Sequence, residues 1–255
     1  SQAAYLAGYA SAGMTTTGTL AVIGGERDNV TSSQMSAFSQ GVDAYNLANG
    51  TSITVLGWNP VTSDGTYAGS ADEVRTATAD AISQGADIIA PFAGEANEGA
   101  ARAVTEAANP IVRLVWSGLT KDDLKGLTRD EAQSAETAPM SGQSGATVTQ
   151  QVDTQSFADA FSYIQISDEV RSAIGAPVLT GVVVDYKAAM ETLIAQASAG
   201  EKATVVPVSL ASGGVILTGF GAYTPMLSSE LKLGLSDMAG QIETGGMVIS
   251  TPFDV

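Results

Sequence analysis

Residues 20–45 read LAVIGGERDNVTSSQMSAFSQGVDAY and contain the pattern that decides the fold class. Leu20–Ile23 is a short apolar run that two glycines end, which predicts a buried strand. After it, Thr31 or Ser32 can cap a helix, because apolar residues then recur at helical spacing. Those residues are Met35, Phe38, Val42 and Tyr45. The stretch therefore predicts one strand followed by one crossover helix.

The same unit recurs along the chain. Further strands are predicted at 53–56, 85–90, 111–116, 178–184, 204–210 and 215–218. Further helices are predicted at 71–83, 98–107, 167–174, 186–199 and 229–242. Strands that alternate with helices are typical of parallel sheets with helices on both faces. The predicted fold class is therefore α/β, with a doubly wound parallel sheet.

Two stretches depart from this alternation. Tyr5–Met14 is apolar on all sides of a helix, which predicts burial all round and suggests a chain that begins partway through a fold. Residues 120–151 are first highly charged and then rich in Ser, Gly, Gln, Thr and Ala. That composition lacks the apolar residues of a core element, so we expect a solvated, flexible insertion there.

Composition excludes several classes of function. Lys and Arg number 11 against 27 Asp and Glu, so the net charge of −16 disfavours binding to nucleic acid or to an anionic membrane surface. The chain has no His and no Cys, which excludes histidine-dependent triads, His or Cys zinc sites and disulfides. We expect no catalytic residues, no metal and no cofactor. Apolar runs of about seven residues fall short of the roughly 20 that a membrane-spanning helix needs.

Several strings in a fixed order resemble the basic membrane protein family, which includes the purine nucleoside receptor lipoproteins of ABC importers. The resemblance extends over residues 3–116 and 176–252. The strings that carry it are Tyr5–Gly8, Gly13–Gly18, Gly24-Gly25, Gly57-Trp58, Asp64–Tyr67, Gln84–Ile89, Ala211–Val215, Ile242–Gly245 and Ser250–Pro252. No single string is decisive, whereas the ordered set is fairly specific.

The resemblance implies a type I periplasmic-binding fold, in which two α/β lobes hold a ligand in the cleft between them. Residues 1–17 would then be a remnant helix of the N-terminal lobe, since the family's usual N-terminal segment does not precede them. Residues 18–175 would form the C-terminal lobe, with the flexible insertion at about 120–151. Residues 176–255 would supply a crossover segment with returning N-terminal-lobe and hinge elements.

The resemblance also implies a function. It indicates an extracytoplasmic solute-binding protein that binds a purine nucleoside, contacts ABC permease subunits and is not an enzyme. Localisation outside the bacterial membrane, anchored or at the cell surface, follows from the family alone, because this chain shows no signal peptide or lipobox.

Five residues are expected at the ligand. Tyr67 would stack on the purine base and Asp153 would accept hydrogen bonds from the ribose hydroxyls. Gly94, Phe92 and Trp58 lie near strand ends, where open α/β sheets bind their ligands. Plainer interpretations exist as well. Tyr67 can be a loop tyrosine packed on its own lobe, and Asp153 can be a surface acid. Phe92 can belong to a packing turn, and Trp58 can be a core or hinge residue.

A lysine that follows the corresponding strand in the family is not matched, since Val184 stands in its place and Lys187 comes three residues later.

Two alternative functions stay open. One is an interaction module, a lone lobe whose exposed cleft face recruits a protein partner; a missing N-terminal segment and self-association also stay open as partners. The other is an enzyme on a related α/β fold.

Overall fold

The structure is a computed structural model that describes residues 1–126, 164–202 and 204–252. Its helices are α1 Gln2–Met14, α2 Asn29–Asn49, α3 Ala71–Ser83, α4 Asn97–Ala107, α5 Asp168–Ile174, α6 Lys187–Ser198 and α7 Ser229–Glu243. Its strands are β1 Thr19–Gly24, β2 Thr54–Leu56, β3 Trp58–Asn59, β4 Asp64–Gly65, β5 Ile88–Phe92, β6 Arg113–Leu119, β7 Leu124–Lys125, β8 Gln165–Ile166, β9 Val178–Val184 and β10 Val215–Leu217. None of the described helices is long and apolar enough to cross a membrane.

The main sheet of the described residues has the order β10-β9-β6-β5-β1-β2. Every neighbouring pair in it is parallel except β9 with β10, which is antiparallel at the edge. Helices α1, α2 and α7 pack on one face of the sheet, and α3 and α4 pack on the other. The predicted α/β class with a mostly parallel sheet is therefore confirmed.

Elements from both sides of the predicted boundary at residue 175 share this sheet. Strand β9 pairs with β6 in parallel register, with Leu114 opposite Val178, and β10 extends the same layer. Residues 1–126 and 176–252 thus build one continuous layer with its helices. The assignment of the predicted segments to two lobes stays a prediction.

Helix α1 is buried on all sides, as its sequence predicts. All of its residues except Gln2 and Gly13 are buried, and the helix contacts α2, α7, β9 and β10. The neighbours that its apolar faces require are therefore elements of this chain. They come from both ends of the sequence, so α1 lies at the centre of the larger core.

Two glycines bring α1 into backbone contact with α2. A Cβ atom on Gly8 would lie 2.0 Å from the carbonyl oxygen of Phe38, and one on Gly41 would lie 2.0 Å from that of Tyr5. Real Cβ atoms do not approach oxygen so closely, and backbone atoms cannot rotate away as a side chain can. The packing of the two helices therefore requires glycine at both positions.

Asp87 ties the end of α1 to the start of β5. Its buried carboxylate accepts hydrogen bonds from the hydroxyl of Thr15 at 2.5 Å, from the hydroxyl and backbone N–H of Thr16, and from the N–H of Thr17. Its own N–H donates to the carbonyl of Thr19, the first residue of β1. Charge-assisted bonds of this kind are stronger than neutral ones. They fix β1 beside β5.

One predicted strand does not form, and one predicted helix has an exposed apolar face. Residues 204–210 contain no strand where the structure describes them, because the Ser209 carbonyl accepts the N–H groups of Gly214 and Val215 in a turn. Helix α6 forms as predicted, but Met190 and Ile194 of its apolar face are 54% and 61% exposed. Periodicity predicted the helix without showing whether a neighbour covers it.

The beginning of the predicted insertion also differs from expectation. Residues 121–123 form a 3-10 turn, and β7 pairs antiparallel with β8, with Leu124 opposite Ile166. The Ser167 N–H donates to the Asp123 carbonyl, which further fixes this corner. Residues 127–151 of the predicted insertion lie outside the described residues.

Substitution Gly41→Ala should lower the free energy of unfolding by about 1–3 kcal/mol, because the new methyl group overlaps the Tyr5 carbonyl oxygen. Chemical denaturation would measure this. The matched control is Gly240→Ala in α7, where a Cβ meets no atom within 4 Å. That substitution should stabilise the protein by about 0.5–1 kcal/mol through helix propensity. Equal effects of the two substitutions would contradict the proposed close approach of α1 and α2.

Candidate functional site

The sheet has its topological switch point between β1 and β5. The chain passes from β1 to its neighbour β2 on one side and then returns to β5 on the other. Open α/β sheets bind ligands in the crevice outside the carboxyl ends of such strands. Here the segment after β1 begins at Gly25, and the segment after β5 begins at Ala93.

Tyr67 is fixed at the carboxyl end of β1. The Gly24 N–H donates to the Thr66 carbonyl at 2.9 Å, and the Ala68 N–H donates to the Gly24 carbonyl at 2.8 Å. A Cβ atom on Gly24 would lie 2.8 Å from Cδ1 of Tyr67 and 2.7 Å from the sulfur of Met35. Glycine is required here because the tyrosine ring packs directly against the strand.

The polar end of Tyr67 is also held. Its hydroxyl lies 2.8 Å from the hydroxyl of Ser32, which is in the first turns of α2. The guanidinium carbon of Arg27 lies 5.8 Å from the ring centroid, and Arg27 is 3.4 Å from the Asp64 carboxylate. The ring is half-buried, so its orientation is set by its surroundings while part of it stays accessible.

Helix α2 begins three or four residues earlier than the sequence pattern predicted. Thr31 and Ser32 were the predicted caps, but Asp28 is the N-cap, and its carboxylate accepts the Thr31 N–H at 2.7 Å. Ser32 is therefore released from capping and is available to Tyr67. Sequence patterns missed both Ser32 and Arg27, because neither forms part of a recognisable local motif.

Gly94 lies in an open position on the other side of the switch point. Its φ of +57° is left-handed, it is exposed, and a Cβ there would meet no atom within 4 Å. The neighbouring Gly25 approaches Ala93 so closely that its Cβ would lie 3.0 Å from the Ala93 Cα. The two segments that leave β1 and β5 therefore run side by side.

Asn97 anchors the second of these segments. Its side-chain oxygen accepts the Ala93 N–H at 2.8 Å, and its nitrogen donates to the carbonyl and hydroxyl oxygens of Ser117. Since the side chain is buried and bonded at both ends, it holds the segment in place. Its amide is occupied by these contacts and does not face the crevice.

Phe92 and Trp58 lie in the core. Phe92 is 3% exposed and meets Phe38 edge to face at 6.4 Å between centroids, and Trp58 is 8% exposed in the same core cluster. Both side chains therefore pack in the core in this structure. A ligand contact from either stays a prediction. Asp153 lies outside the described residues, and its role also stays a prediction.

Charged side chains surround the crevice. In the part of the chain that the structure describes, the segments around Tyr67 and Gly94 carry five charged residues: Glu26, Asp28, Asp64, Glu95 and the cation Arg27. Four of the five charges are negative, in a chain whose net charge is −16. A negatively charged ligand would therefore meet repulsion here, whereas a neutral one would not.

An ion pair joins the carboxyl ends of β6 and β9. Lys121 Nζ lies 3.0 Å from the carboxylate of Asp185, whose side chain is only 11% exposed. The Lys187 N–H donates to Asp185 at 2.9 Å, and this backbone bond and the ion pair hold the pKa of Asp185 below its usual value. The Lys187 residue is exposed and contributes its backbone to this corner.

A cavity of about 620 Å³ lies between α4, β6 and α5. Trp116, Leu119, Val170 and Ile174 form its apolar wall, and Arg102 lies at its edge. These residues belong to the core clusters on the α4 side of the sheet, whereas Tyr67 packs against the cluster that contains α1 and α2. The cavity is therefore separate from the switch-point crevice.

The comparisons with known proteins agree with the resemblance in the sequence. The family model described as ABC transporter substrate-binding protein PnrA-like matches residues 1–123, which include β1, Tyr67 and Gly94. The match extends over just under half of the chain, so residues 1–123 are similar to this family. No curated protein matches the chain in sequence.

Solved structures share the fold of the whole chain. A solute-binding protein of an ABC transporter system from Aeropyrum pernix K1 is 18% identical, with a TM-score of 0.60 over 99% of this chain and 65% of its own. One from Conexibacter woesei DSM 14684 is 14% identical, with a TM-score of 0.57 over 98% of this chain and 63% of its own. A transcriptional activator of the comK gene from Bacillus halodurans is 14% identical, with a TM-score of 0.55 over 98% and 64%.

These neighbours show the fold alone, and the chain spans 63% to 65% of their length. Two of the three are named as solute-binding proteins of ABC systems. The chain therefore has the periplasmic-binding-protein-like architecture that its sequence resemblance implies.

Substitution Asp185→Asn should lower the free energy of unfolding at pH 7 by about 0.5–1 kcal/mol, because it weakens the contacts with Lys121 and Lys187. A lowered folded-state pKa gives stability that is present above the unfolded value near 3.8 and lost as pH falls through the folded value. In denaturation experiments, the difference between the variant and the unmodified protein should therefore be smaller at pH 2.5 than at pH 7. Asp80→Asn on the exposed side of α3 controls for net charge. An undiminished difference at pH 2.5 would contradict this origin.

Proposed function

We propose that this chain belongs to the substrate-binding component of an ABC importer and that its ligand is a purine nucleoside. The observation that carries the proposal is the position of Tyr67. Its ring stands at the switch point of the sheet, within the residues that match the PnrA-like family. Nucleoside binding and the individual ligand contacts are inferred from this site and from the family resemblance.

The chemistry of Tyr67 suits a planar, uncharged ring. An aromatic face stacks on any base, with a contribution of roughly 1–3 kcal/mol per base. The Ser32 hydroxyl and the tight contact with Gly24 already order the ring, so binding costs little side-chain entropy. A pre-ordered tyrosine of this kind supports base stacking better than a mobile loop residue would.

The charges around the crevice support a neutral ligand. A nucleoside carries no phosphate, whereas a nucleotide would bring negative charge next to Glu26, Asp28, Asp64 and Glu95. We therefore expect nucleosides to bind in preference to their phosphates. In the same proposal Asp153 accepts hydrogen bonds from the ribose hydroxyls, and Gly94 lets the ligand approach the backbone.

The proposed mechanism is ligand-driven closure. In a two-lobed binding protein the ligand bridges the lobes and favours the closed form, which permease subunits then recognise. The working receptor would be extracytoplasmic and would bind its ligand without chemical conversion. Since this chain spans 63% to 65% of its structural neighbours, the remaining contacts of such a receptor belong to the proposal as well.

Isothermal titration of the protein with inosine and guanosine tests the proposal. Tyr67→Ala should weaken binding at least tenfold, since it removes the stacking face. Tyr67→Phe keeps that face and should change the affinity by less than about threefold. The matched control is Tyr186→Ala, because Tyr186 is an exposed tyrosine that precedes α6 and follows β9 rather than β1 or β5.

Two results would contradict the proposal. The first is absence of saturable nucleoside binding by the unmodified protein. The second is equal affinity of the Tyr67→Ala variant and the unmodified protein. Incubation with inosine followed by chromatography for hypoxanthine addresses the enzyme alternative, and we expect the nucleoside to be recovered intact.

A further inference from the structure

Arg27 covers the ring face on which a ligand would stack. Its guanidinium carbon is 5.8 Å from the centroid of Tyr67, and its side chain is 63% exposed. The ring packs against the core cluster that contains Met35, and its Cδ1 atom lies beside Gly24. The ring is half-buried by these contacts, and the arginine that lies over it is exposed.

We propose that Arg27 forms the second face of the binding site and that the base of the ligand lies between its guanidinium and the ring of Tyr67. This inference rests on the proposed function and adds a residue that no resemblance assigns. The guanidinium is planar and delocalised, and it stacks well on flat π-systems. A purine offers a larger face than a pyrimidine, so the clamp favours purine nucleosides.

The distance between Arg27 and the ring of Tyr67 is slightly smaller than this role requires. Two stacking layers of about 3.5 Å each require about 7 Å between guanidinium and ring. The observed 5.8 Å is therefore about 1 Å short of the width needed for a base. An outward movement of about 1 Å by an exposed arginine would open the clamp, and the same side chain would then close on the ligand.

Asp64 holds Arg27 over the ring without fixing it rigidly. The carboxylate is 3.4 Å from the guanidinium and also accepts the Gly65 N–H at 2.8 Å, so its own position in β4 is well defined. Both partners are about half-exposed or more, and exposed ion pairs of this kind contribute little free energy. The tether therefore keeps Arg27 near Tyr67 and yields when a ligand enters.

The acidic surroundings strengthen the argument for stacking over anion binding. Asp64 already balances the charge of Arg27, and Glu26 and Asp28 flank it in sequence. An anionic ligand would have to compete with these three carboxylates. A neutral base gains the cation–π attraction and meets no such competition.

The test is titration calorimetry with inosine on the unmodified protein and on two variants of Arg27. Arg27→Ala should weaken binding about tenfold, because one face of the clamp is lost. Arg27→Lys keeps the charge but loses the plane, so it should also weaken binding, by about fivefold. The matched control is Arg102→Ala, which removes another exposed arginine with an acidic partner, Glu98, at 2.9 Å. Its affinity should stay within about twofold.

The outcomes separate this inference from the proposed function. Tighter binding by Arg27→Ala would show that the arginine only blocks the ring, and unchanged binding would show that it takes no part; either overturns the clamp. Full affinity in Arg27→Lys would show that charge alone suffices and would overturn the stacked geometry. If the unmodified protein binds no nucleoside, the proposed function and the clamp both fail. Binding that depends on Tyr67 but not on Arg27 overturns the clamp alone.

Discussion

The structure depends on the burial of α1 at backbone distance from α2. An all-apolar helix is stable in water only when every side is covered, and here the cover comes from α2, α7, β9 and β10. The approach to α2 requires glycine at residues 8 and 41, so side-chain volume is absent where the backbones meet. This placement fixes where α1 ends. The threonines that follow it then bond to Asp87, and that contact sets β1 beside β5.

The adjacency of β1 and β5 creates the candidate site. A switch point between two parallel strands leaves a crevice at their carboxyl ends, and the segments leaving both strands meet there through Gly25 and Ala93. One part of the crevice is ordered by buried contacts, as with Tyr67 against Gly24 and Ser32. Another part is exposed and loosely tethered, as with Arg27. An ordered ring such as that of Tyr67 gives selectivity for flat ligands, and an exposed side chain such as Arg27 can move to let a ligand enter.

Much of the fold is predictable from the sequence because it is encoded locally. The predicted bounds of α3 and β9 agree with the structure, since α3 has an apolar pattern of helical period and β9 is an apolar run that is buried except at Val184. Residues 204–210 have the composition of a strand, yet no place in the sheet pairs with them. The pattern also could not predict that Met190 and Ile194 of α6 are exposed, because burial depends on a neighbour elsewhere in the chain. Ser32 and Arg27 escaped notice for the same reason: their partner Tyr67 is about 35 to 40 residues away.

The aromatic residues of the site show how strand geometry separates packing from binding. Side chains along a strand alternate between the two faces, so Ile88, Ala90 and Phe92 of β5 point to the side covered by α1 and α2. Phe92 is therefore in the core although it stands at the carboxyl end of its strand. Tyr67 is different because it lies outside the main sheet, beside the last residue of β1, where alternation no longer directs it inward. An aromatic residue near a strand end is thus a candidate for ligand stacking only when the alternation of side chains along the strand does not direct it into the core.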